Sequence, residues 1–185
     1  KEEVIAKALF NDITEQSGVE FKHTETQHFD FSDRQPLLQK YSQLGPCIAT
    51  GDVNGNGLED FFTGGAANQS GKIFIQTANG DFKSANLVVT AKPEEDLGGV
   101  FFDADGDNDL DLIVTGGSYE FGIPKYNQPR LYTNGGKGNF ILDATALPAI
   151  TDITDVVTVA DYDGDGDIDI FIGGRLLSQK YPQSP

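Results

Sequence analysis

The stretch "DADGDNDLD", Asp103 to Asp111, sets five carboxylates at every second position of a nine-residue window with no lysine or arginine inside it. Like charges this close raise one another's pKa and destabilise a folded chain unless a cation or hydrogen-bond donors compensate. Two relatives of the stretch occur elsewhere: "DVNGNGLED" at Asp52 to Asp60 and "DYDGDGDID" at Asp161 to Asp169, with starts 51 and 58 residues apart. Each copy follows a β-prone run ("CIATG", "GVFF", "VVTVA") and precedes another ("FFT", "LIVT", "IFI") that ends in a Gly-Gly pair, at 64/65, 116/117 and 173/174. The acidic stretch is therefore expected to be a loop joining two strands, in three copies.

After the first two Gly-Gly pairs come "GKIFIQTANGDF" and "PRLYTNGGKGNF", alternating apolar runs with an Asn-Gly-type turn before Phe82 or Phe140, the signature of a β-hairpin. Four short strands in about fifty residues is the repeat size of a β-propeller blade. The expected architecture is all-β, a partial propeller of about two and a half four-stranded blades, with glycine pairs allowing tight turns. Its divisions are an N-terminal extension (1–44), blade 1 (45–96), blade 2 (97–150) and a truncated blade 3 (151–185). In the extension "EEVIAKALF" suits a short helix and "GVEFKH" a strand.

Numbered from the first Asp, oxygen side chains fall at positions 1, 3, 5 and 9: Asp52, Asn54, Asn56, Asp60; Asp103, Asp105, Asp107, Asp111; Asp161, Asp163, Asp165, Asp169. Position 7 can add a backbone carbonyl, from Leu58, Asp109 and Asp167. Hard oxygen ligands without Cys or His select calcium over transition metals, so three Ca2+ sites are expected. The loop openings also match an EF-hand, which needs a bidentate Glu at position 12. Thr63, Val114 and Ile172 stand there instead, inside apolar strands. The nonapeptide repeat of calcium-binding β-helices is absent too, and a phosphate cradle is excluded by so many carboxylates.

The chain of 185 residues has 38% hydrophobic residues and 13 Phe, enough for a core, and a formal charge of -16. That charge argues against nucleic acid and anionic lipid as partners. No apolar run is long enough to span a membrane, and no signal peptide is visible. The chain has no methionine and opens on Lys1, the expectation for a processed or trimmed product. The single cysteine, Cys47, is expected in a strand as a small buried hydrophobe, and His23 and His28 have no catalytic motif around them.

With their strands and Gly-Gly pairs, the three loops resemble the calcium loops of FG-GAP or VCBS repeats, the blades of integrin-alpha-like β-propellers. "LGPCIATGDVNGNGLEDFFTGGA", "NGGKGNF" and "GGRLLSQKYP" are similar to bacterial secreted propellers related to cartilage acidic protein, which often carry an ASPIC/UnbV module. The resemblance covers about residues 10 to 185. It implies a fragment of a larger ring, bacterial origin, a secreted or cell-surface location and a non-catalytic scaffold for an extracellular protein or glycan. Tyr119, Phe121 and Tyr126 in the "SYEFGIPKYNQP" insertion are candidates to stack on a sugar ring. The alternative is the propeller part of a secreted polysaccharide-active hydrolase or lyase, which requires a free, protonated carboxyl among groups already committed as ligands. Open strand edges in an incomplete ring also predict self-association.

Overall fold

A computed structural model of the chain describes residues 9–33, 40–88, 90, 92–117 and 119–177. Ten strands form three antiparallel sheets, each in sequence order. The first contains β1 (Ile48–Gly51), β2 (Asp60–Thr63), β3 (Lys72–Gln76) and β4 (Phe82–Asn86). The second contains β5 (Glu95–Phe102), β6 (Asp111–Gly117), β7 (Arg130–Asn134) and β8 (Phe140–Asp143). The third pairs β9 (Ile153–Ala160) with β10 (Asp169–Leu176). The architecture is thus all-β, two four-stranded units and a two-stranded third, as a partial propeller requires. Helix is limited to α1 (Asp30–Asp33) and a 3-10 turn at Pro124–Asn127 among the described residues. No helix among them is long and apolar enough to cross a membrane.

The sheets stack face to face, and the period-2 alternation of strands explains how. Leu112 and Val114 on β6 pack with Phe101 and Tyr132 against Ala49, Phe62 and Ile73 of the first sheet. Ile113, pointing the other way, packs with Phe102 and Leu131 against Val157, Val159, Ile170 and Ile172 of the third. The second sheet is thus a filling between two others, and every residue of β6 is buried. A strand covered on both faces needs a continuous apolar run, which "LIVT" supplies. Among the described residues the outer side of the third sheet has no such cover: Val156 and Phe171 are exposed.

Three expectations need correction. "GVEFKH" forms no strand: its neighbourhood is held by isolated bonds, Phe82 N–H to Ser17 O at 3.0 Å, Lys72 Nζ to Glu20 O at 3.2 Å and Gln69 Nε2 to Lys22 O at 2.8 Å, rather than by a ladder. The Gly-Gly pairs are not all turns. Gly116 and Gly117 end β6 and Gly173 and Gly174 lie within β10, where the register shifts. A Cβ on Gly116 would overlap the Glu95 carbonyl oxygen, so close approach of two backbones is what requires glycine there. Cys47 lies just before β1, half-buried against the first core rather than in a strand. Burial, with Asp96 adding to it, pushes its thiol up to about 12, which leaves it un-ionised near neutrality. Most of the proposed N-terminal helix and the "SQKYPQSP" end lie outside the described residues.

Candidate metal centres

All three acidic loops close by the same bonds. The carboxylate at position 1 accepts from the N–H at position 6: Gly57 to Asp52 at 2.7 Å, Asn108 to Asp103 at 2.9 Å and Gly166 to Asp161 at 3.2 Å. Position 3 accepts from position 5 (Asn56 to Asn54 at 3.0 Å, Asp107 to Asp105 at 3.3 Å, Asp165 to Asp163 at 3.3 Å). Position 5 accepts from position 7 (Leu58 to Asn56 at 2.8 Å, Asp109 to Asp107 at 2.9 Å, Asp167 to Asp165 at 2.9 Å). These are side-chain-to-backbone turns that Asp and Asn favour. Positions 4 and 6 have positive φ throughout: Gly55 and Gly57, Gly106 and Asn108, Gly164 and Gly166. Only glycine and, next best, asparagine sit there without strain, which fixes the "GxG" or "GxN" spacing.

The last Asp of the first two loops does a second job. Asp60 accepts from Val53 N–H at 3.1 Å and from Gln76 N–H of β3 at 2.7 Å. Asp111 accepts from Ala104 N–H and from Asn134 N–H of β7, both at 2.8 Å. Each therefore staples the loop to the hairpin of its own sheet and is fully buried. Burial pushes both carboxyls above the ordinary Asp value, although these N–H groups pull the other way. At Asp52 the balance reverses: burial opposes ionisation, but the N–H groups of Gly57, Asn56, Asn54 and Gly55 hold the carboxyl below its ordinary value.

Of the expected ligands, oxygens of Asp103, Asp105 and Asp111 come within 4.8 Å of one another, as do those of Asp161, Asp163 and Asp169. Asp107 and Asp165 are not in those groups; each accepts the N–H at position 7. The Asp109 side chain lies against Gly136 in the β7–β8 turn. In the first loop Asn56 also donates to Gln76 O at 3.2 Å. The donor set, oxygens alone and carboxylate-rich, fits a hard cation such as calcium. The insertion aromatics divide: Tyr119 is buried with Ile153 and Leu176, while Phe121 and Tyr126 meet edge to face at 6.3 Å with Lys125 over the Tyr126 ring.

Two buried groups carry no repeat signal and escaped the sequence. Asp96 takes Arg130 at 2.7 Å and Lys92 at 3.1 Å, accepts Gly65 N–H at 2.8 Å and so joins the first two sheets. Burial opposes its charge, yet Arg130 and Lys92 hold its carboxyl below the ordinary value. The other group is Glu25, Glu95 and Glu120, whose carboxylates also converge within 4.8 Å.

The model of the FG-GAP-like repeat family matches residues 21–114 and 121–172. The comparison with curated proteins finds no match. The family match spans most of the chain, and the chain belongs to the FG-GAP-like repeat family.

Proposed function

We propose that this FG-GAP-like repeat chain is a calcium-braced, non-catalytic binding scaffold that works outside the cell, as part of a β-propeller presenting its loops to an extracellular protein or glycan. The observation that carries the reading is the threefold recurrence of one loop geometry, with oxygens of positions 1, 3 and 9 gathered in the second and third copies. A cation held there would turn mutual carboxylate repulsion into shared attraction and stiffen the junction of the first two strands of each unit. Asp103, Asp105 and Asp111, and Asp161, Asp163 and Asp169, would hold it, with Asp52, Asn54 and Asp60 in the first loop. Three ions would bring the formal charge from -16 to about -10. Against catalysis stands the commitment of the position-1 and position-9 carboxylates to backbone N–H groups in all three copies.

Calorimetric titration of metal-stripped protein with Ca2+ tests the proposal. Saturable binding is expected, with a rise in melting temperature corresponding to about 2.7 kcal/mol at a hundredfold excess over Kd. Absence of any calcium-dependent shift would overturn it.

A further inference from the structure

Three glutamates from separate segments meet at the end of β5 remote from its acidic loop. Glu95 opens β5, Glu25 comes from the extended N-terminal segment and Glu120 from the loop after β6. Their carboxylate oxygens lie within 4.8 Å of one another. The length of β5 puts this group roughly 25 Å from Asp103 at the rise of an extended strand. It is a separate feature from the loops.

Glu95 is buried, Glu25 and Glu120 are half-buried, and their carboxylates are only partly compensated. Glu95 is 3% exposed, and its Oε1, Glu25 Oε2 and Glu120 Oε2 are buried with no hydrogen-bond partner. The contacts present are few: Thr26 Oγ1 donates to Glu120 Oε1 at 3.0 Å, the His23 ring meets Glu25 Oε1 at 2.5 Å, the Gln43 N–H reaches Glu95, and the Glu25 and Glu95 carboxyls share a hydrogen bond, where a bound cation would take the place of the shared proton. His23 Nδ1 is likewise buried without a partner. His28 lies close enough for its charge to act on Glu120. The nearby cations are spent elsewhere: Lys92 and Arg130 serve Asp96 and Glu94, and Asp96 follows Glu95 on a strand whose side chains alternate faces. Buried carboxylates persist in folded proteins when they are paired, protonated or bound to metal.

We infer that Glu25, Glu95 and Glu120 form a divalent-cation site that clamps the N-terminal segment onto the second sheet. The orphaned oxygens give hard-donor ligands for Ca2+, Mg2+ or Mn2+. The clamp stands independently of the acidic loops.

Mn2+ is the probe, because its paramagnetism broadens nearby proton resonances and fades steeply with distance. His23 and His28 are the chain's two histidines, and both lie beside this cluster. Titrating the intact chain with Mn2+ should broaden the His23 ring signals. The broadening should survive Asp103→Asn with Asp161→Asn, which weaken the loops, and disappear in Glu95→Gln. That variant keeps the side-chain volume and relieves the repulsion, so it should fold. Glu120→Gln, on a partly exposed loop, is the second variant and should act alike. Unaffected His23 signals at saturating Mn2+ would overturn the site in favour of carboxyls sharing protons. Broadening that persists in both glutamine variants, or vanishes with the loop variants alone, would overturn it equally.

Discussion

Asp111 and Asp169 hold the same position in two copies of one loop, and each accepts an N–H from the residue after its loop's first Asp at 2.8 Å. There the likeness ends. Asp111 is 1% exposed and takes a second N–H from Asn134, whereas Asp169 is exposed and has only the one among the described residues. The second sheet supplies β7 to close over its loop; among the described residues β9 and β10 have no third strand beside them. The loop's conformation is therefore local and independent of its blade, while burial of its last Asp is a gift of the hairpin. The same contrast runs through the ion pairs: Asp96 is sealed between two sheets, but the Asp155–Arg175 pair joining β9 to β10 remains partly exposed.

The largest effect expected from this contrast lies in the ion pairs. Asp96→Asn leaves Lys92 buried without its counter-charge and Arg130 with Glu94 alone, and should cost about 3–5 kcal/mol. Asp155→Asn, at a partly exposed pair, should cost under about 1 kcal/mol. Chemical denaturation of both variants checks this, and equal costs would break the comparison. The pH dependence has a definite sign. Because the folded state lowers the Asp96 carboxyl from 3.8, its contribution is present above that value and drains away as pH falls through the lower folded value. Acid titration of stability should therefore show a loss below pH 3.8 that Asp96→Asn lacks.

Next come the loop staples. Asp111→Ala strips the acceptor from two backbone N–H groups at a buried site and should cost about 2–3 kcal/mol, against under about 1 kcal/mol for Asp169→Ala. Thermal unfolding of metal-stripped protein isolates this from any ion. A cost at Asp169 equal to that at Asp111 would mean the third unit is covered in solution.

The smallest effect separates the loops by charge. The first offers two carboxylates and two Asn amides, the others four carboxylates each, and ligand charge tunes calcium affinity. Chelator titration should empty the Asp52 loop first, with a Kd about tenfold weaker, or about 1.4 kcal/mol. Exposure of the Asp161 loop works against its advantage, so the Asp103 loop should be last. Release of the Asp103 or Asp161 loop ahead of the Asp52 loop would show that charge count does not control affinity.

The repeat was legible because each of its parts is a short-range rule. Alternating oxygens, positive φ at positions 4 and 6 and the flanking apolar runs all act within a dozen residues, so "DADGDNDLD" and its two relatives specify their loops wherever the rest of the chain goes. The all-β class and the blade period follow from the same spacing. Other features had no such signal. Gly116 reads as a turn in sequence but serves a backbone crossing, because nothing at position 116 records how near the Glu95 carbonyl will pass. Asp96 meets Arg130 from 34 residues away, and Glu25, Glu95 and Glu120 share no pattern. Sequence alone determined the loops, the strands and the charge that calls for cations. Only the stacking of sheets decided which carboxylates lost their water and gained or lacked a partner, since desolvation depends on what packs above a side chain and not on the residues beside it.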